Sequence, residues 1–152
     1  MNVIELKERV DISENIKLSK IYVQFRELLK ELRKRELPHK IIETINQNIA
    51  ELNSMSPADK ELKKMIERKR AKIIKLLEKE LKIVPKNYYR NLWLAHGIST
   101  IGIPIGVSFG ISMDNLALLG IGLPIGMAIG MGLGLRMDKK AFKEGRQLDL
   151  EV

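Results

Sequence analysis

The chain contains no cysteine. That excludes disulfides, thiolate metal sites and a lipid-modified cysteine anchor. Histidine is almost as scarce: His39 and His96 lie far apart, with no carboxylates clustered around either. No metal site, cofactor or catalytic constellation is expected, and the chain does not read as an enzyme. Aromatic residues make up 5% of the sequence, too few to interleave base-stacking rings with the basic residues, so nucleic acid is the least favoured partner. The N-terminus, Met1-Asn-Val-Ile-Glu-Leu-Lys-Glu, has neither a long apolar core nor a cleavage pattern, so no secretory signal is expected. The most informative scarcity is of charge. Residues 93–135 contain no Lys, Arg or Glu and a single Asp, Asp114, at their midpoint. Proton relays, ion-coupled pumps and voltage sensors need charged groups inside the spans, so those classes are not expected.

What fills the uncharged stretch is apolar and repeated. Trp93–Met113 and Leu116–Leu135 are each about 20 residues, or roughly 30 Å as helix, the hydrocarbon thickness of a bilayer. Ile101-Gly-Ile-Pro-Ile-Gly-Val-Ser-Phe-Gly110 recurs as Ile121-Gly-Leu-Pro-Ile-Gly-Met-Ala-Ile-Gly130. The segment therefore reads as two membrane-spanning helices folded into a hairpin about an Asp114-Asn115 turn. The same residues also alternate with period two, as a strand would. Pro104 and Pro124 count against strands, as does a length twice what a membrane strand needs. An open strand hairpin would also leave unpaired edges in lipid. As helices, the spans are expected to kink modestly at the two prolines.

Glycine recurs every fourth residue, at Gly102, Gly106 and Gly110 and again at Gly122, Gly126, Gly130 and Gly134. Such a row lets another helix approach backbone to backbone, and in lipid close packing of this kind is what joins helices. One reading has the two helices zip only against each other. The favoured one adds packing between neighbouring hairpins, through Gly120, Gly132, Ser108, Ser112 and Ala128. Any polar lining of a path between copies would come from Ser99, Thr100, Ser108 and Ser112.

The rest of the chain is densely charged, with 22 Lys and Arg against 14 Asp and Glu in residues 1–92 and a net charge of +8 overall. Apolar residues at Leu18, Tyr22, Phe25, Leu29 and Leu32, widened by Ile21 and Leu28, predict an amphipathic helix over about 14–37, stopped or bent by Pro38. Asp11 or Ser13 is expected to cap it. Ile42, Ile45, Ile49 and Leu52 predict a second helix over about 39–53. A third, capped by Ser56 with Pro57 in its first turn, runs to about Val84 on Leu62, Met65, Ile66, Ile73, Leu76, Leu77 and Leu81. The fold expected is all-α: a cytoplasmic three-helix amphipathic bundle followed by the two-span hairpin. An intermolecular coiled coil is the alternative for residues 14–84. The domains expected are a basic helical domain (1–86), an interfacial linker (87–92), the hairpin (93–135) and a basic tail (136–152).

Lys64, Arg68, Lys72, Lys75 and Lys79 give the third helix a basic face, read as a solvated surface, a face for anionic lipid headgroups, or a partner surface. Tyr88, Tyr89, Arg90 and Trp93 before the first span, and Arg136, Lys139 and Lys140 after the second, are expected at the membrane interface. The Lys and Arg flank the hairpin on the side shared by both termini. By the positive-inside rule this places both termini in the cytoplasm of an inner, cytoplasmic-membrane, multi-pass protein.

The two glycine runs, the intervening Met113-Asp-Asn-Leu-Ala-Leu-Leu-Gly and the exit Met137-Asp-Lys-Lys-Ala-Phe-Lys-Glu-Gly-Arg-Gln-Leu resemble the small bacterial glycine-zipper membrane-hairpin proteins, over about residues 93–148. The resemblance implies an integral membrane protein that packs through glycine faces, and little about biochemical role. The function expected is a homo-oligomeric membrane protein forming a small pore or permeabilising the bilayer, as a toxic or antiphage effector controlled by its cytoplasmic helices. The alternative is an anchor or scaffold whose helical domain recruits a soluble partner.

Overall fold

The structure, a computed structural model, describes residues 2–7, 16–54 and 59–151. Asp11, Ser13, Ser56 and Pro57, expected as helix starts, lie outside the described residues. Among the described residues five helices and two short strands follow one another: α1 (Ile16–Arg33), α2 (His39–Ser54), α3 (Asp59–Leu81), β1 (Val84–Lys86), α4 (Tyr88–Ser112), α5 (Leu116–Lys143) and β2 (Gln147–Glu151). Contacts divide the chain into two units. One holds residues up to Ile83 with Leu148–Leu150; the other holds Val84–Gln147 with Glu151.

In the first unit each helix turns an apolar face inward. Leu18, Tyr22, Phe25, Leu28, Leu29 and Leu32 of α1 are buried, as are Ile42, Ile45, Ile49 and Leu52 of α2 and Leu62, Ile66, Ile73 and Leu77 of α3. α3 packs against both α1 and α2. The periodicity thus finds the faces, and the helix ends shift by a few residues. α1 stops at Arg33, where Lys34 and Arg35 donate to the carbonyls of Glu31 and Leu32 in a tightened last turn. Pro38 opens α2 instead of closing α1, its carbonyl accepting from the N–H groups of Ile41 and Ile42. α3 ends at Leu81, three residues short of Val84, as Lys82 takes φ 56°. Ahead of α1, residues 2–7 form neither helix nor strand and bury Val3 and Leu6.

In the second unit α4 and α5 run as a helical hairpin. The chain is not wholly α, which the hydrophobic pattern does not announce. β1 and β2 pair in parallel, Val84 opposite Gln147 and Lys86 opposite Glu151. Parallel neighbours need a long crossover, and here the whole hairpin supplies it. The pair is short and one strand contains Pro85, so no period-two signal develops. Of the residues expected as an interfacial linker, 88–92 form the first turns of α4 with Asn87 as its N-cap, and the tail continues α5 to Lys143 before turning at Gly145 (φ 68°). A left-handed glycine just past a helix end is the usual stop, and Arg146 N–H reaches the Ala141 carbonyl at 2.9 Å across it.

One α2 side chain is poorly matched to its place. Asn48 is 3% exposed. Its Nδ2 donates to the Thr44 carbonyl at 2.7 Å, while its Oδ1 has no hydrogen-bond partner among the described residues. A buried acceptor without a partner costs about 1–3 kcal/mol. Asn48→Leu keeps the shape and removes that oxygen, and should stabilise the first unit by about 1 kcal/mol, read as a higher denaturant midpoint at unchanged slope.

Candidate membrane-spanning hairpin

α4 and α5 are each long and apolar enough to cross a membrane, and only 22% and 17% of their most apolar windows are buried. The core helix of a soluble domain would be mostly covered, and these two are mostly exposed. Burial along the hairpin is inverted relative to the first unit. The covered residues of its spans are Gly97, Gly102, Gly106, Gly110, Gly122, Gly126, Gly130 and Gly134, while Val107, Phe109, Ile111, Leu123, Met127 and Leu133 point outward.

The glycines face one another. A Cβ on Gly102 would lie 2.9 Å from the Gly122 carbonyl oxygen, and one on Gly126 2.7 Å from the Gly102 Cα. A Cβ on Gly134 would meet the Arg90 Cα at 2.5 Å, and one on Gly122 the Gly106 Cα at 2.8 Å. Real side chains do not tolerate such spacings against backbone, so these positions admit glycine alone at this helix separation. Gly110 is different: its nearest neighbour would be the Leu119 side chain at 3.5 Å, an ordinary contact. Gly120 and Gly132 face open space, with nothing within 4 Å.

Gly97 belongs to the contact and breaks the four-residue rule that finds the others. A Cβ on it would lie 2.9 Å from the Gly130 Cα. Its interval to Gly102 is five. Residues Gly97–Gly102 form a turn of π-helix, and the Ile103 N–H donates to the Ile98 carbonyl five residues back. The wider turn brings a five-residue interval onto the face that four-residue intervals occupy elsewhere. This turn sits just ahead of Pro104. Pro124, its counterpart, lies within an unbroken α5. The two copies of the repeat therefore differ in backbone despite their similar sequence.

Three of the four Ser and Thr hydroxyls of α4 are occupied locally. Ser99 Oγ donates to the Ala95 carbonyl (2.9 Å), Thr100 Oγ1 to His96 (2.6 Å) and Ser108 Oγ to Pro104 (2.8 Å). These three and Ser112 all lie on the outer surface of the hairpin. His96, also exposed, donates from Nδ1 to the Leu92 carbonyl at 2.8 Å, with its ring 6.2 Å from that of Trp93. At the tip, Asp114 takes φ 48° and the Asn115 side chain accepts from the Ala117 N–H at 3.0 Å, capping the entry to α5.

The base of the hairpin is closed by a residue that sequence reasoning missed. Asp138 is 6% exposed. Its Oδ1 accepts from the Tyr89 N–H at 3.1 Å and its Oδ2 from the Arg90 N–H at 2.8 Å. A helix normally receives such a cap from its own N-cap residue. Here that residue, Asn87, is left-handed at φ 60° and its side chain donates instead to Glu151 at 2.5 Å. α5 therefore supplies the cap of α4. The signal available was a lone acid among basic residues in Met137-Asp-Lys-Lys, four residues beyond the last glycine of the row.

The interface residues divide. Tyr89, expected at headgroup level, is buried against Val84 and Ala141 with Tyr88 edge-on to it, ring centroids 5.3 Å apart. It is a packing residue, because the Asp138 cap draws the start of α4 onto α5. Tyr88, Arg90 and Trp93 are half-buried, while Arg136, Lys139 and Lys140 are exposed and line a shallow recess with Lys143 and Glu144. In the first unit Lys64, Arg68, Lys72, Lys75 and Lys79 are all exposed on α3. Among the described residues no three of His, Asp and Glu come together as a metal would require. No family model, no curated protein and no solved structure matches this chain.

Two substitutions separate the glycine roles. Gly126→Leu should push α4 and α5 toward the roughly 8–10 Å spacing of ordinary side-chain packing, whereas Gly132→Leu should leave their separation unchanged. Spin labels on paired introduced cysteines measure this directly, in a chain with no cysteine of its own. Asp138→Ala should cost about 1–3 kcal/mol and speed exchange of the Tyr89 and Arg90 amides while leaving those near the tip unaffected.

Proposed function

We propose that this is an integral membrane protein of the inner membrane, with α4 and α5 crossing the bilayer and both termini in the cytoplasm, and that the hairpin anchors a basic helical domain there. The observation that carries this reading is the inverted burial, glycine inside and large aliphatic side chains outside. In water that arrangement would expose far more contiguous apolar surface than a soluble monomer carries. In lipid it costs nothing, and close glycine packing holds the helices together. The Lys and Arg at the hairpin base support the orientation by the positive-inside rule. The first unit then forms a cytoplasmic three-helix bundle. Its α3 face of Lys64, Arg68, Lys72, Lys75 and Lys79 lies along anionic headgroups or receives an acidic soluble partner, each basic residue near the surface contributing about 1 kcal/mol.

A membrane-permeabilising homo-oligomer, of the glycine-zipper kind the sequence resembles, is the second reading. It is favoured by one observation: Gly120 and Gly132 leave an open strip on α5, with Ala128 between them, against which another hairpin can pack. The rows at Gly102 and Gly126 are engaged within the hairpin, so a link between copies falls to this strip. Self-satisfied hydroxyls at Ser99, Thr100 and Ser108 weigh against a water-filled path, which is why the anchor is preferred.

Topology is tested with single cysteines and a membrane-impermeant thiol reagent. Asp114→Cys should be labelled from outside intact cells, and Lys86→Cys and Lys143→Cys only after lysis; labelling of position 114 from the cytoplasmic side alone overturns the orientation. Reconstituted vesicles should show no ion efflux above protein-free controls. Sustained efflux abolished by Gly120→Leu together with Gly132→Leu would establish the permeabilising reading instead.

A further inference from the structure

Residues 2–7 are held against the first unit in an unusual way. Asn46 on α2 pairs with the segment twice, Nδ2 donating to the Asn2 carbonyl (3.1 Å) and Oδ1 accepting from the Ile4 N–H (2.9 Å). Asn53 repeats this with the Glu5 carbonyl (3.0 Å) and the Lys7 N–H (2.9 Å). From α1, Arg33 Nε donates to the Val3 carbonyl at 2.9 Å, its guanidinium pairs with Glu5, and the Tyr22 hydroxyl donates to the Lys7 carbonyl. All these bonds to the segment's backbone come from side chains.

The spacing is matched. Both pairings engage a carbonyl and the N–H two residues on, and they recur after three residues. So do the buried side chains, Val3 and Leu6. A period of three is that of a polyproline II chain, which advances about 9 Å in three residues and has no internal hydrogen bonds, leaving its backbone groups free. Asn46 and Asn53 are seven apart on α2, or about 10.5 Å. The two repeats agree to within about 1.5 Å, so the segment runs parallel to the helix with one asparagine for each of its turns. Two amides read the backbone whatever its sequence. Two apolar sites and Arg33 add a preference for an apolar residue, an acid two positions later and a second apolar residue after that, here Val3, Glu5 and Leu6. A hollow remains between the segment and α1, bordered by Leu6, Arg26, Leu29 and Arg33, so the seat is not sealed around its occupant.

We propose that this face of α1 and α2 is a peptide-binding groove, that residues 2–7 are an exchangeable occupant, and that the trans occupant is the same segment from a second copy of this chain. Among the described residues the contacts between segment and groove are the same whether the two belong to one molecule or to two, and such exchange of an identical element is a low-cost route to association. Copies concentrated in one membrane would have the high effective concentration that favours it. The inference rests on the anchor reading for that concentration and does not depend on packing between hairpins.

The test uses two complementary chains purified in detergent. One carries Asn46→Ala and Asn53→Ala, so its segment is intact and its groove cannot pair. The other lacks residues 2–7, so its groove is intact and empty. Mixed, they should co-purify at least tenfold more than either with a differently tagged copy of itself, and excess free peptide of residues 2–7 should release the pair. Equal capture in all mixtures, or capture that the peptide does not release, overturns the proposal while leaving hairpin association standing. If either variant loses helix content, exchange on the unaltered chain decides. The Ile4 and Lys7 amides should be protected and should exchange at least tenfold faster with saturating peptide; absent protection, or protection the peptide does not change, overturns it.

Discussion

The hairpin depends on two backbones meeting where no side chain stands between them. Each of the buried contact glycines gives up a side chain so that the other helix can come closer, and the dispersion gained is spread over many weak contacts. Everything else at the hairpin follows from that separation. The large aliphatic residues have no room inside and turn outward. The π-turn exists in the place where a five-residue interval must share a face with four-residue ones. Asp138 can cap a helix to which it does not belong because Gly134, one turn away, lets the start of α4 lie against α5.

Most of the architecture was legible in the residues. The stripe of Leu18, Tyr22, Phe25, Leu29 and Leu32, and the stripes of α2 and α3, are all buried wholly or in part, because burying a helix face requires apolar residues at that period. The two long apolar helices were legible by length and lack of charge, and Asp114-Asn115 as their turn. What was not legible is informative. Gly97 falls outside the row because a π-turn has no signature that periodicity can read. Asp138 looks like one acid in a basic exit, since capping across helices leaves no local pattern. The β1–β2 pair is too short and too irregular to alternate. Asn46 and Asn53 resemble the polar side of an amphipathic helix until the chain that lies across them is seen.

The two units use opposite materials for cohesion. The first buries leucine and isoleucine and keeps its charges outside, as a domain surrounded by water must. The second buries glycine and keeps its leucine and isoleucine outside. Polar groups are handled differently as well. Among the hairpin's hydroxyls, Ser99, Thr100 and Ser108 return their protons to carbonyls of their own helix. In the first unit the Asn46 and Asn53 amides reach across to another part of the chain.

The parallel strands carry a mechanical consequence. β1 immediately precedes α4 and β2 follows α5 closely, so the hairpin is a loop whose root is fastened twice, once by the strand pair and once by Asp138. Toward the far end the packing loosens at Gly110, beside the Asp114-Asn115 turn. If the two rods ever part, they open as tongs do, widest at the Asp114-Asn115 tip and still pinned at the grip.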